Sequence, residues 1–245
     1  MSGHRAKRDR SRPSPPHPNH LAISSPTNPY TTPTNPGAPF MTSFRHEWAS
    51  RASATAPAHL NYDNDMPLGL KRLQNEGDLH FITFSCHQRR PYLNDPKTKQ
   101  VIEDILETLR IRHDFAILGY VLMPEHVHLL MTEPKIGTLA STLRVLKGET
   151  SKLLRGTRKR FWLPRYYDFN VFTEAKRIEK LKYMHRNPVT RELVAKPEDW
   201  PWSSFLAYAT RQPCHITIET PHGTIPANPR LPPPNNPPPT RVPHS

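Results

Sequence analysis

Thirty prolines in 245 residues limit what this chain can fold into, because each lacks the backbone N–H that helix interiors and sheet ladders require. They are unevenly spread: ten fall in 1–65, eleven in 212–245 and nine in 66–211. The outer stretches, such as "RSRPSPPHPNHLAISSPTNPYTTPTNPGAPF" and "NPRLPPPNNPPPTRVPHS", also hold few large apolar side chains. Too little surface can be buried there to offset the entropy of ordering the chain. The expected organisation is a disordered N-terminal extension over 1–65, one folded domain over 66–211, and a disordered tail over 212–245. Met66 opens the structured-looking sequence, so 1–65 reads either as a translated extension or as sequence upstream of the true start.

Charge narrows the class of partner. The net charge is +13, and the 66–211 region alone holds 25 basic against 16 acidic side chains. A folded region this basic favours a polyanion, either nucleic acid or an acidic membrane surface. No stretch approaches the roughly 18 apolar residues of a membrane span, and no apolar signal-peptide core follows the basic "MSGHRAKRDR". Cys86 and Cys214 are too few and too far apart for a disulfide framework or a zinc knuckle. A cytoplasmic, nucleoid-associated location is expected.

The folded region alternates strand and helix signals. "LHFITFSC" (79–86) reads as a strand, running into the basic "HQRR" with Arg89 and Arg90. Asp95 and Pro96 open a helix whose inner stripe is Val101, Ile102, Ile105, Leu106 and Leu109. Two strands follow at 115–123 and 126–132, joined by a tight Pro-Glu turn and expected to pair antiparallel. A second helix, 137–156, has Leu139, Leu143, Leu146, Leu153 and Leu154 facing in. Its other face carries Arg144, Lys147, Ser151 and Arg155, with Lys152 nearby, and continues into "RGTRKRFW", where Arg158, Lys159 and Arg160 mix with aromatics. Such a face is either a solvated helix surface or a nucleic-acid groove. A strand at 165–172 and a third helix from Thr173 complete the set; Pro188 places the end of that helix at about 186 or 187. The order β-α-β-β-α-β-α implies an antiparallel sheet with helices packed on it, an α+β sandwich.

One detail of the third strand asks for chemistry. His126 and His128 are two residues apart, so both project to one side of the strand. Two neutral imidazoles side by side can hold a divalent metal, although an isolated His-x-His pair reads more readily as two satisfied histidines. Tyr183 and Asn187, four apart on the last helix, share one helical face. Were that face to lie over the histidine strand, His126, His128 and the Asn187 amide oxygen would surround a metal, with Tyr183 beside it as a nucleophile. Tyr120, Tyr166, Tyr167 and Tyr208 compete for that role, and Glu125 is either a turn carboxylate or a further ligand. "EDWPWSSF" (198–205) reads as a packing motif.

These segments resemble a known family. "LHFITFSCHQRRPYL", "YVLMPEHVHLL", "YYDFNV", "YMHRNPV" and "WPWSSF" occur in the order found in REP-associated tyrosine transposases, within the single-tyrosine transposases that carry a His-hydrophobic-His motif. The resemblance spans about 67–210. It implies a ferredoxin-like domain that cuts single-stranded DNA near hairpins, such as palindromic repeats, and rejoins strands through a 5′-phosphotyrosine. By that resemblance His126, His128 and Asn187 are ligands of magnesium or manganese and Tyr183 is the attacking residue. DNA contacts are expected from Arg89, Arg90, Arg144, Lys147, Lys152, Arg155, Arg158, Lys159, Arg160 and Arg186. Two other readings stand beside this one: a non-catalytic hairpin-binding protein of the same fold, and a metal phosphodiesterase that uses water. Spacing does not decide between monomer and homodimer, nor whether the tyrosine serves its own subunit.

Overall fold

The computed structural model describes residues 77–228. The expected extension over 1–65 and the end of the tail, 229–245, lie outside the described residues.

Four strands form one sheet: β1 (Leu79–Ser85), β2 (Ile117–Leu122), β3 (His126–Thr132) and β4 (Tyr167–Val171). Their order is β2-β3-β1-β4, and every neighbouring pair is antiparallel. Helix α1 (Pro96–His113) connects β1 to β2, and α2 (Leu139–Leu154) connects β3 to β4. This is the expected α+β, ferredoxin-like sheet with helices packed on it. A further helix, α3 (Glu174–Thr190), follows β4. No helix among the described residues is long and apolar enough to cross a membrane.

The helices begin where their capping residues dictate. Asp95 accepts a hydrogen bond from the Lys97 amide, with Pro96 in the first turn. Thr138 and Ser141 cap α2 reciprocally, and Thr173 accepts from the Lys176 amide to start α3. Each contact satisfies an amide that the first helical turn would otherwise leave without a partner. Two expectations need correction. Helix α3 runs through Pro188 to Thr190, because a proline in the last turn removes a single helical bond, and the Arg191 and Leu193 amides still close onto Asn187 and Pro188. Leu153 is 68% exposed: buried Thr150 takes the inward position on α2, bonded to the Leu146 carbonyl and to the Trp162 indole.

The sheet has two covered faces. Ile82, Phe84, Tyr120, Val127 and Leu129 point toward α1 and α2 and are buried. The Tyr120 hydroxyl donates to Glu103 of α1, and Trp162 packs edge-on to Phe84. The opposite face presents Phe81 and Thr83 of β1, His126 and His128 of β3, Tyr167 and Phe169 of β4, and Gly119 and Val121 of β2, as their register requires. Helix α3 covers this second face. It comes so close that a Cβ at Gly119 would lie 2.6 Å from Leu181 Cδ2 and 3.2 Å from Met184 Sδ. The absent side chain is what lets the helix lie down on the sheet.

Residues 200–204 close the free edge of β2. The Leu122 amide donates to the Trp202 carbonyl, the Trp200 indole donates to the Leu122 carbonyl, and the Ser204 amide donates to the Tyr120 carbonyl. This bears out the packing role read for "EDWPWSSF" and satisfies backbone groups that a bare edge would expose.

The boundary expected at residue 211 is too early. Cys214, Ile216, Ile218 and Ile225 are buried, and β5 (Ile218–Thr220) pairs with β6 (Gly223–Ile225). His215 Nδ1 lies 3.2 Å from Glu103, and the Thr217 hydroxyl donates to Glu107 at 2.8 Å. The stretch "CHITIETPHGTI" alternates isoleucines with polar residues at strand spacing, a signal that the prolines concentrated further on obscure.

Beneath α1 and α2 sits a buried ionic pair. His80 Nδ1 is 2.8 Å from Asp168 Oδ1, and Nε2 is 3.3 Å from Glu133 Oε1. Burial opposes the charged ring, but the two carboxylates outweigh it and raise the His80 pKa above 6.5. The fold therefore stabilises protonated His80. That contribution is complete below about pH 6.5 and is lost as pH rises through the elevated pKa.

Two outcomes follow from this packing. Gly119→Val should lower the unfolding free energy by about 1–3 kcal/mol through overpacking against Leu181 and Met184; a urea midpoint equal to that of the original chain would refute the close approach. Between pH 6 and 9 the melting temperature should fall more for the original chain than for Asp168→Asn. Parallel profiles in thermal melts would remove the ionic pair from the account.

Candidate active site

The site lies between β3 and α3. The Met123 amide donates to the His126 carbonyl, so Pro124 and Glu125 form the two-residue turn between β2 and β3. Strand geometry then sends His126 and His128 to the α3 side, where both are buried. Their Nε2 atoms are 3.0 Å apart.

The outer nitrogen of each ring meets an oxygen. His126 Nδ1 is 3.1 Å from Glu125 Oε1, and His128 Nδ1 is 2.7 Å from Thr83 Oγ1. From α3, the Asn187 amide nitrogen lies 2.9 Å from His128 Nε2. A carboxylate only accepts, so His126 carries its proton on Nδ1 and keeps an Nε2 lone pair. The Asn187 amide faces His128 Nε2, and the Thr83 hydroxyl at His128 Nδ1 can donate or accept. The two Nε2 atoms converge.

Burial keeps both rings neutral. It pushes the His126 pKa below 6.5, with Glu125 pulling the other way, and His128 falls further because His126, Arg89 and Lys180 add repulsion. Burial alone would raise the Glu125 carboxyl. The His126 hydrogen bond and the Arg191 and Arg89 guanidiniums outweigh it and bring it down to about 2.

Tyr183 stands beside the pair. Its half-buried ring is edge-on to His128, with centroids 5.4 Å apart, and edge-on to Phe81 at 6.0 Å. Phe81 stacks on His128 from the sheet side at 5.4 Å. Lys180, one turn before Tyr183, holds its ammonium 5.1 Å from the Phe81 ring and 4.6 Å from that of Phe169. One chain thus brings His126, His128, Asn187 and Tyr183 together. The competing tyrosines are engaged elsewhere: Tyr120 donates to Glu103 on the opposite face, and Tyr208 donates to the Leu118 carbonyl. Tyr167 shares the histidine face but lies across β1, beside Thr83.

The donor set suits a divalent cation without crowding it. Among the described residues no group of three or more His, Cys, Asp or Glu side chains could hold a metal; a cation at this site would have to be held by the two imidazoles and the Asn187 amide. A half-turn of the Asn187 amide puts Oδ1 where Nδ2 stands, an exchange that leaves its shape unchanged.

The ten expected DNA contacts divide among different places. Arg144, Lys147, Arg155, Lys159 and Arg160 line one groove of about 530 Å³ with Phe161, Trp162 and Tyr166. Within it, the Lys147 ammonium donates to the Leu163 and Pro164 carbonyls at 2.6 and 3.0 Å, and burial lowers its pKa to about 8. It ties the 161–164 segment to α2. Arg158 points the other way, its guanidinium 4.7 Å from the Tyr92 ring, in a cavity of about 940 Å³ that includes Lys99, Trp200 and Trp202. Lys152, Arg90 and Arg186 are exposed outside the groove. Arg89 lies 3.7 Å from Glu125.

Three residues at the site escaped the sequence reading, and a fourth was given another role. Thr83 becomes visible only when β1 pairs with β3 in register. Arg191, 3.1 Å from Glu125 Oε1, had a signal: 183, 187 and 191 repeat at four-residue spacing along one helix stripe. Lys180 had the same signal at three residues. Glu125 had been read as a turn residue or a ligand, and it is instead bonded to the outer side of a histidine.

Comparison with known proteins identifies relatives of this chain. Residues 75–187 match the family described as "Transposase IS200 like". The REP-associated tyrosine transposase of Escherichia coli (strain K12) is 26% identical over 136 residues, covering 55% of this chain and 81% of that protein. Among solved structures, a REP-associated tyrosine transposase bound to a REP hairpin aligns with a TM-score of 0.51 at 23% identity, covering 56% of this chain and 82% of the other.

Proposed function

We propose, from the match of residues 75–187 to the family described as "Transposase IS200 like", that this chain is a member of that family, binds single-stranded DNA hairpins of the REP type, and cleaves and rejoins strands with Tyr183 as nucleophile. The observation that carries the reading is the meeting of Tyr183 and Asn187 with the two histidines, 5.4 Å between the Tyr183 and His128 rings and 2.9 Å from the Asn187 amide to His128.

The residues divide the work. His126 and His128, neutral and with converging Nε2 atoms, would hold magnesium or manganese together with Asn187 Oδ1. A bound ion there supplies Lewis acidity, stabilising negative charge on the phosphoryl oxygens. Phe81 and His128 orient the Tyr183 ring. Its hydroxyl oxygen attacks phosphorus as the phenolic proton passes to water; the P–O3′ bond breaks, and the departing 3′ oxygen takes up a proton. The 5′-phosphotyrosine conserves the phosphodiester energy, so a second 3′-hydroxyl can displace the tyrosine and rejoin strands without a nucleotide cofactor. The groove on the α2 side holds backbone phosphates through Arg144, Arg155, Lys159 and Arg160, with the partly exposed Tyr166 available to a base.

Incubated with a hairpin oligonucleotide and manganese, the protein should form a covalent adduct visible on a denaturing gel. Tyr183→Phe should abolish it, and an adduct that persists would assign the nucleophile elsewhere. His126→Ala should remove cleavage while hairpin affinity stays within a few-fold; affinity falling as far as cleavage would make the histidine structural. A metal phosphodiesterase would give cut strands and no adduct.

Replacing Arg144, Arg155 and Lys159 together with Gln should weaken hairpin binding and flatten its dependence on salt by roughly one unit of log–log slope per lost phosphate contact. The adduct should still form at saturating DNA. An unchanged salt slope would place the backbone outside the groove.

A further inference from the structure

Glu125 is buried at the mouth of the site, yet the proposed chemistry gives it no task. Its Oε1 is 3.1 Å from His126 Nδ1 and 3.1 Å from Arg191 Nη1, with Arg89 Nη2 at 3.7 Å. These partners come from three parts of the chain: β3, the residue that caps α3, and the turn after β1. The backbone beneath is pinned as well. The Cys86 amide donates to the Glu125 carbonyl at 2.8 Å, and the Leu93 amide donates to the Pro124 carbonyl at 2.9 Å. A carboxylate held this way has one position to offer the imidazole.

We propose that Glu125 is a positioning residue, locking His126 as the Nδ1–H tautomer so that its Nε2 lone pair is delivered to His128 and to a divalent cation. The inference rests on the metal-dependent reading of the site and adds to it the group that makes one ligand competent. An ionised carboxylate accepts and never donates, so it tolerates only the proton-bearing form of the nitrogen it faces. His128 has no equivalent lock: its Nδ1 meets the Thr83 hydroxyl, which can donate or accept. The asymmetry assigns the fixed tautomer to His126. Glu125 is not itself a ligand in this arrangement, because its oxygen lies against Nδ1, while the converging atoms are the two Nε2 nitrogens. Arg191 and Arg89 complete the device by holding the same oxygen from the other side.

The test begins on the full-length protein without metal. Histidine ¹⁵N long-range correlation spectra should show His126 protonated at Nδ1 and bare at Nε2; the reverse assignment overturns the proposal. Manganese affinity, read from the free-ion paramagnetic resonance signal, should fall about 10–100-fold in Glu125→Leu. Glu125→Gln, whose amide oxygen can still accept, should recover most of that loss. Hairpin affinity in the presence of a chelator should not decrease in either variant. Wild-type manganese affinity in Glu125→Leu, or hairpin affinity dropping in step with manganese affinity, would sink the idea. Should Glu125→Leu fail to fold, the wild-type tautomer and Glu125→Gln decide. A separate outcome, undiminished manganese binding in His126→Ala, refutes the metal site itself and leaves the spectra to judge the role of Glu125.

Discussion

The seating of α3 on the sheet governs everything else in this molecule. Leu181 and Met184 pass over Gly119 at a distance that admits no side chain, and the same helix carries Tyr183 and Asn187 to the histidine strand. The helix face is fixed from below by apolar packing, so its polar members need no strong bonds of their own to stay in place. His185, buried two residues after Tyr183, bonds to Ser204 at 2.8 Å. Through Ser204, which also takes the Tyr120 amide, the helix is tied to the segment that closes the edge of β2. Helix, edge cover and central strand therefore hold one another.

Charge is arranged around this packing with little waste. In a chain of net charge +13, the two central imidazoles are kept neutral because solvation is denied to them. The Glu125 carboxylate beside them is kept ionised by its hydrogen bond from His126 and by two arginines. The larger accumulation of positive charge lies on the α2 side, where cations and aromatic rings line a groove. The basic groove and the histidine pair thus lie in different layers, so the cations of the one do not crowd the imidazoles of the other.

Much of this was legible in the linear chain, and the residues show why. The two-residue period of a strand puts His126 and His128 on one side, and the four-residue period of a helix does the same for Tyr183 and Asn187; both are local rules. That the two faces meet is not local, because it depends on which side of the sheet α3 chooses, and Gly119 decides that from a strand whose sequence looks merely apolar. Pro188 misled the end of α3, since the cost of a helical proline depends on how many turns follow it. The prolines beyond 228 likewise hid the isoleucines at 216, 218 and 225, whose alternation is plain once the average is taken over a shorter window. Lys147 was read as a DNA contact, because the sequence carries no record of the two carbonyls to which its ammonium donates.

Tyr183 and the imidazoles are separated by more than fifty positions along the chain, and they meet only after the last β-strand of the main sheet has been laid down. A ribosome would release both histidines well before the phenol emerges. An unfinished copy can therefore possess the histidine pair without its phenol: the assembled pocket arrives late, as a property of completion.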